Sequence, residues 1–137
     1  MAKDFYTTID QSKKLFMLGL SPDTADLSYG YIAPYDYSDR MFDGGYDKIP
    51  YPKDFFIKNS GVDPNEYEGE LPCWSIGALL NMLPNAVLTN VDNLWSCKIK
   101  HNGNDLYKWG QNSPIDAIFA VIVWLLENDC KNDLRLS

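Results

Sequence analysis

Apolar positions recur at helical spacing in three stretches of the chain and at strand spacing in two. The first helical stretch opens on Thr8-Ile9-Asp10-Gln11, the spacing of a capping box in which the Thr8 hydroxyl accepts from the Gln11 N–H while the Gln11 side chain reaches back. Ile9, Leu15, Phe16, Met17 and Leu18 continue it as an apolar stripe. Gly19 then supplies a left-handed stop, and Leu20 packs back. This predicts a helix from Ile9 to Leu18. Ser21-Pro22-Asp23-Thr24 repeats the start signal at once, so a short second helix to about Leu27 is expected, making a helical pair over residues 8–28.

A third helix is expected between Pro72 and Pro84, where Trp74, Ala78 and Met82 lie at helical spacing beside Ile76, Leu79, Leu80 and Leu83. Gly77 inside it suggests a close approach by another backbone or ring. Leu94 to Lys100 and Leu106 to Trp109 flank His101-Asn102-Gly103-Asn104, a hairpin signal through Asn-Gly. Trp95, Cys97 and Ile99 should face one way, and Leu94, Ser96, Lys98 and Lys100 the other. Ser113-Pro114-Ile115-Asp116 begins the last helix, running to about Asn128. Its ten consecutive apolar residues, Ala117 to Leu126, leave no polar face, which predicts a helix surrounded by other elements.

The segment from Tyr29 to Pro72 is different in kind. It holds seven of the nine tyrosines, five prolines and a Gly44-Gly45 turn, so regular structure should be sparse. Leu27 to Ala33 alternates as an edge strand would, and Phe55-Phe56-Ile57 offers an apolar anchor to the core. The fold class that results is α+β: a small single domain, 1–137, with a central apolar C-terminal helix, two or three further helices and a β-hairpin or small antiparallel sheet. Residues 8–28, 29–72 and 73–137 form its three parts.

Charge changes the picture once it is located. Between Leu20 and Pro72 stand eleven acidic and four basic residues, which accounts for the whole net charge of −7. A binder of nucleic-acid phosphates needs Lys and Arg, so no direct nucleic-acid partner is expected, and Asp23 and Asp26 exclude a DNA-reading second helix. No apolar run is long enough to span a bilayer, and the N-terminus lacks a secretory pattern, which points to the cytoplasm and away from a membrane. Cys73, Cys97 and Cys130 suit free thiols in a reducing compartment. With one histidine and scattered cysteines, neither a metal nor a cofactor is expected.

Two kinds of function fit these residues. Tyr35, Asp36, Tyr37, Asp39, Asp43, Tyr46 and Asp47 interleave rigid aromatic area with charge, as a surface for a basic protein partner would. The same tyrosines could instead roof the core. Asp36, Asp39, Asp43 and Asp47 also offer hard oxygen ligands, but their spacing fits no EF-hand loop. The alternative is a small cysteine-dependent hydrolase, with Cys73 activated at a helix start and His101 and Asp105 reaching it from the hairpin.

Thr8-Ile9-Asp10-Gln11-Ser12-Lys13-Lys14-Leu15, Leu18-Gly19-Leu20, Asp23-Thr24-Ala25-Asp26 and Leu71-Pro72-Cys73-Trp74-Ser75, with the late apolar helix, resemble a group of small proteins of gut Bacteroidales and their phages or mobile elements. The resemblance covers most of the chain outside the Tyr/Asp-rich middle. It implies a bacterial or phage cytoplasmic origin and carries over no functional residue. A non-enzymatic protein-binding accessory factor is the reading that joins these observations.

Overall fold

The structure, a computed structural model, describes residues 5–32, 35–37, 40–42, 45–46, 49–52 and 71–134. Among them are helices α1 (Ile9–Met17), α2 (Ile76–Met82) and α3 (Pro114–Glu127), with 3-10 turns at Pro22–Thr24 and Lys131–Asp133. The strands are β1 (Leu27–Tyr29), β2 (Tyr31–Ile32), β3 (Tyr35–Tyr37), β4 (Arg40–Phe42), β5 (Gly45–Tyr46), β6 (Tyr51–Pro52), β7 (Leu71–Cys73), β8 (Val87–Val91), β9 (Leu94–His101) and β10 (Asn104–Gln111). The fold is α+β, with two small antiparallel sheets ordered β6-β1-β7 and β10-β9-β8.

Local signals set the helix ends. Thr8 Oγ1 accepts from Gln11 N–H at 3.1 Å, and Gln11 Oε1 accepts from Thr8 N–H at 3.0 Å. At the other end Gly19 has φ +94°, and Leu20 N–H returns to Leu15 C=O at 3.1 Å, closing the helix in a Schellman turn. The second member of the expected helical pair shrinks to the 3-10 turn at Pro22–Thr24. The physical reason is competition: Leu27, Ser28 and Tyr29 are all buried, and β1 uses them as the middle strand of its sheet, not as an edge.

The third helix also starts later than its prolines suggest. Leu71, Pro72 and Cys73 pair with Tyr29, Ser28 and Leu27, and Ser75 caps a helix that begins at Ile76. Among the described residues a Cβ on Gly77 would meet nothing nearer than Ser75 Oγ at 3.7 Å, so none of them makes the expected close approach. The Asn102-Gly103 turn joins β9 to β10 with both residues at positive φ. Asp92-Asn93 makes a second turn of this kind, which adds β8 and converts the expected hairpin into a three-stranded meander.

The described residues of the Tyr-rich middle are more regular than its composition suggests. Tyr31 pairs with Tyr46, and Tyr35, Asp36 and Tyr37 pair with Phe42, Met41 and Arg40, in one common register. Phe55-Phe56-Ile57 lies outside the described residues.

Two apolar clusters hold these elements. The larger draws Ile115, Ala117, Ile118, Val121, Ile122, Leu125 and Leu126 from α3 against Cys97 and Ile99 of β9 and Leu79 and Met82 of α2. Phe119, Val123 and Trp124 are half-buried, so α3 is not enclosed evenly on all sides. The smaller cluster joins Tyr6, Leu27, Tyr29, Leu71 and Cys73. Beside it lies Thr7, fully buried. Its Oγ1 sits 2.7 Å from Ser12 Oγ and accepts from Trp74 N–H at 3.1 Å, while its carbonyl accepts from the Tyr29 hydroxyl at 2.7 Å.

Thr7→Val keeps the shape but leaves Trp74 N–H and the Ser12 hydroxyl without a buried partner, a loss of about 2 kcal/mol. Thr7→Ser keeps the oxygen and should cost about 1 kcal/mol for the lost methyl. Urea denaturation of both variants measures the difference. Equal losses would show that the methyl, not the hydroxyl, is what the site needs.

Candidate functional site

The hydrolase trio expected from the sequence is not assembled. Cys73 lies on β7, two residues before the Ser75 cap, so it does not occupy a helix start. It is fully buried, with Sγ 3.4 Å from the Thr7 carbonyl. Burial pushes its thiol above the ordinary range, outweighing the hydrogen bonds from Thr7, Tyr29 and Ser12 that act the other way. Such a thiol is a poor nucleophile. Asp105 pairs with Lys100 Nζ at 2.7 Å on the exposed side of the hairpin, and that hydrogen bond holds its carboxylate below the usual range.

His101 has different neighbours. It ends β9 at the turn, where its Nε2 lies 3.7 Å from Cys130 Sγ and its Nδ1 lies 2.9 Å from Asp133 Oδ2. The carboxylate stands off the ring N–H direction, so Nδ1 is buried without a hydrogen bond despite the short distance. Trp124 meets the imidazole edge to face, with ring centroids 5.2 Å apart.

Local chain geometry brings these groups together. α3 ends with Asn128 as cap and Asp129 at φ +55°, after which Cys130 N–H bonds back to Leu125 C=O at 2.8 Å. This Schellman turn, with Asp in the left-handed position that Gly usually fills, aims Cys130 at the hairpin end. The Lys131–Asp133 3-10 turn follows, and in such a turn residues three apart project to the same side, which brings Asp133 beside Cys130. Cys130-x-x-Asp133 after a helix stop was therefore a legible local signal. Its meeting with His101 was not, because that depends on how the sheet packs on α3.

Of the seven residues assigned to a partner surface, Tyr35, Asp36 and Tyr37 lie on β3. Tyr46 lies on β5, half-buried against the smaller cluster, with Lys13 Nζ 5.6 Å above its ring. Asp39, Asp43 and Asp47 lie outside the described residues. Tyr6 and Tyr29 are buried, so these two tyrosines serve the core.

Sequence reasoning missed a further surface. The meander turns Cys97 and Ile99 inward and leaves Val87, Val91, Leu94, Tyr107 and Trp109 exposed, Trp109 at 77%. The register shifts between Lys108 and Gln111, with Gly110 at φ +77°, a bulge that re-aims Trp109. Beside it Val91, Asp92, Leu94, Trp95, Ser96 and Gly110 line a cavity of about 490 Å³. Among the described residues no helix is long and apolar enough to cross a membrane. No protein-family model, curated protein or solved structure matches this chain.

Because Cys130 alone of the three thiols reaches solvent, iodoacetamide at neutral pH should modify it first and leave Cys73 and Cys97 unlabelled until the chain unfolds. Peptide mass spectrometry reads the order. Early labelling of Cys73 would restore the trio expected from the sequence. Burial pushes the Cys97 thiol from 9.0 up to about 11. Above pH 9 the unfolded chain releases this proton and the folded chain keeps it, so stability is full below that pH and falls towards pH 11. Cys73 and Tyr29, also raised chiefly by burial, act in the same direction. Thermal melts between pH 7 and 11 should show this decline, and a flat profile would contradict it.

Proposed function

We propose that this chain is a non-enzymatic protein-binding accessory factor. The observation that carries the reading is the exposed aromatic and aliphatic face of the meander around Trp109. A rigid sheet presenting Trp, Tyr and branched aliphatic side chains beside a ligand-sized hollow has the composition of an interface anchor, and soluble proteins leave few such contiguous patches in water.

The partner on this reading is a basic protein, drawn by the acid concentrated between Leu20 and Pro72 and held by the apolar face. Tyr35, Asp36, Tyr37, Asp39, Asp43, Tyr46 and Asp47 supply the attracting surface, with Tyr46 also serving the core at its base. The resemblance to proteins of gut Bacteroidales and their phages implies a bacterial or phage-infected cytoplasm for this activity. The three free thiols suit that compartment.

The test starts from a partner captured from a bacterial lysate and then purified, so that rates and affinity are measured on a defined pair. Trp109→Ser should weaken binding at least about tenfold, mainly through faster dissociation, with an unchanged melt because the ring is exposed. Changing Asp36, Asp39, Asp43 and Asp47 together to Asn should slow association, an effect that fades as salt rises. A pair whose kinetics ignore both changes would remove both surfaces from the function.

A further inference from the structure

We propose that His101, Cys130 and Asp133 form a binding site for a divalent transition-metal ion of the zinc type. The proposal is independent of the meander face and of any protein partner.

The geometry comes first. One ligand atom from each of the three residues lies within 4.8 Å of the other two. The Sγ–Nε2 separation is 3.7 Å. Zinc bond lengths of about 2.3 Å to sulfur and about 2.05 Å to imidazole nitrogen, at a tetrahedral angle, put those atoms about 3.6 Å apart. The thiol and the ring therefore already stand at the two corners such an ion needs. The off-axis carboxylate of Asp133 and the buried, unbonded Nδ1 fit the same account. No hydrogen bond commits the Asp133 carboxylate to the ring, so it is available as the third ligand.

Helix polarity separates this reading from a thiol nucleophile built on the same atoms. Cys130 follows the C-terminus of the fourteen-residue α3, where carbonyl groups carry partial negative charge. That end opposes an unpaired thiolate and presents carbonyl oxygens, not N–H donors, so it could not steady the oxyanion of acyl transfer. A cation is what this end favours, and the adjacent carboxylate adds to the attraction. Sulfur and imidazole among the donors select a borderline ion such as Zn²⁺ over Mg²⁺ or Ca²⁺, which prefer all-oxygen sites. Asp133 is 43% exposed, so solvent can fill a fourth position. Bound there, the ion would clip the β9–β10 turn to the chain that follows α3.

The experiment uses the full, untagged, reduced protein titrated with Zn²⁺ and Co²⁺. One equivalent of Zn²⁺ should bind, raise the melting temperature and protect Cys130 from alkylation. Co²⁺ should give a thiolate-to-metal charge-transfer band. Cys130→Ser should abolish that band, His101→Gln should weaken binding about a hundredfold, and the exposed Asp133→Asn change should weaken it about tenfold with an unaltered metal-free melt. A band that survives Cys130→Ser overturns the assignment. So does the absence of a one-to-one complex at tens of micromolar Zn²⁺, or an affinity indifferent to Asp133→Asn. Should His101→Gln or Cys130→Ser fail to fold, alkylation protection in the unchanged protein and the Asp133→Asn titration decide the matter.

Discussion

The first sheet depends on a requirement that follows from burial: polar atoms removed from water must bond to one another. Thr7 meets it for four segments at once. Its backbone N–H donates to the Trp74 carbonyl, its hydroxyl takes the Trp74 N–H and touches Ser12, and its carbonyl receives the Tyr29 hydroxyl. The N-terminal segment, α1, β1 and the chain after β7 are thereby registered to one residue, with no charge spent in the interior. Trp74 extends the arrangement, donating its indole N–H to Thr24 and pinning the 3-10 turn.

What could be read from the sequence divides along the distance over which each signal acts. The caps at Thr8 and Ser113 and the stop at Gly19 depend on atoms a few residues apart, and all stand as their residue types imply. The first sheet depends on partners far along the chain. Nothing near Cys73 announces that Leu27 lies beside it, so its segment read as the start of a helix. The tyrosines at 29, 31, 35 and 37 stand at odd positions, a strand period. Glycine, proline and acid nearby concealed it, and the ribbon read as loop. For His101, linear spacing offered Cys73 and Asp105 as neighbours, while packing supplied Cys130 and Asp133.

Direction matters as much as proximity at that site. A thiol, an imidazole and a carboxylate in a row describe both a nucleophile with its base and a set of metal ligands. The end of the helix they adjoin distinguishes the two, because an N-terminus offers donors to an anion and a C-terminus offers acceptors to a cation. Here α3 presents its carbonyl end, and the exposed Trp109 face lies on a separate part of the meander.

Tyr29 and Leu71 are paired directly across β1 and β7. After Tyr29 the chain comes back to β1 twice, at β6 (Tyr51–Pro52) and again at β7, and the entropy of closing each excursion changes slowly with its length. By closure entropy alone, a change of length between Pro52 and Leu71 costs the sheet little, whereas Tyr46 is held against the smaller cluster. Length is thus a cheap variable for this fold, while Tyr46 and β6 keep their places because of what they pack against and pair with.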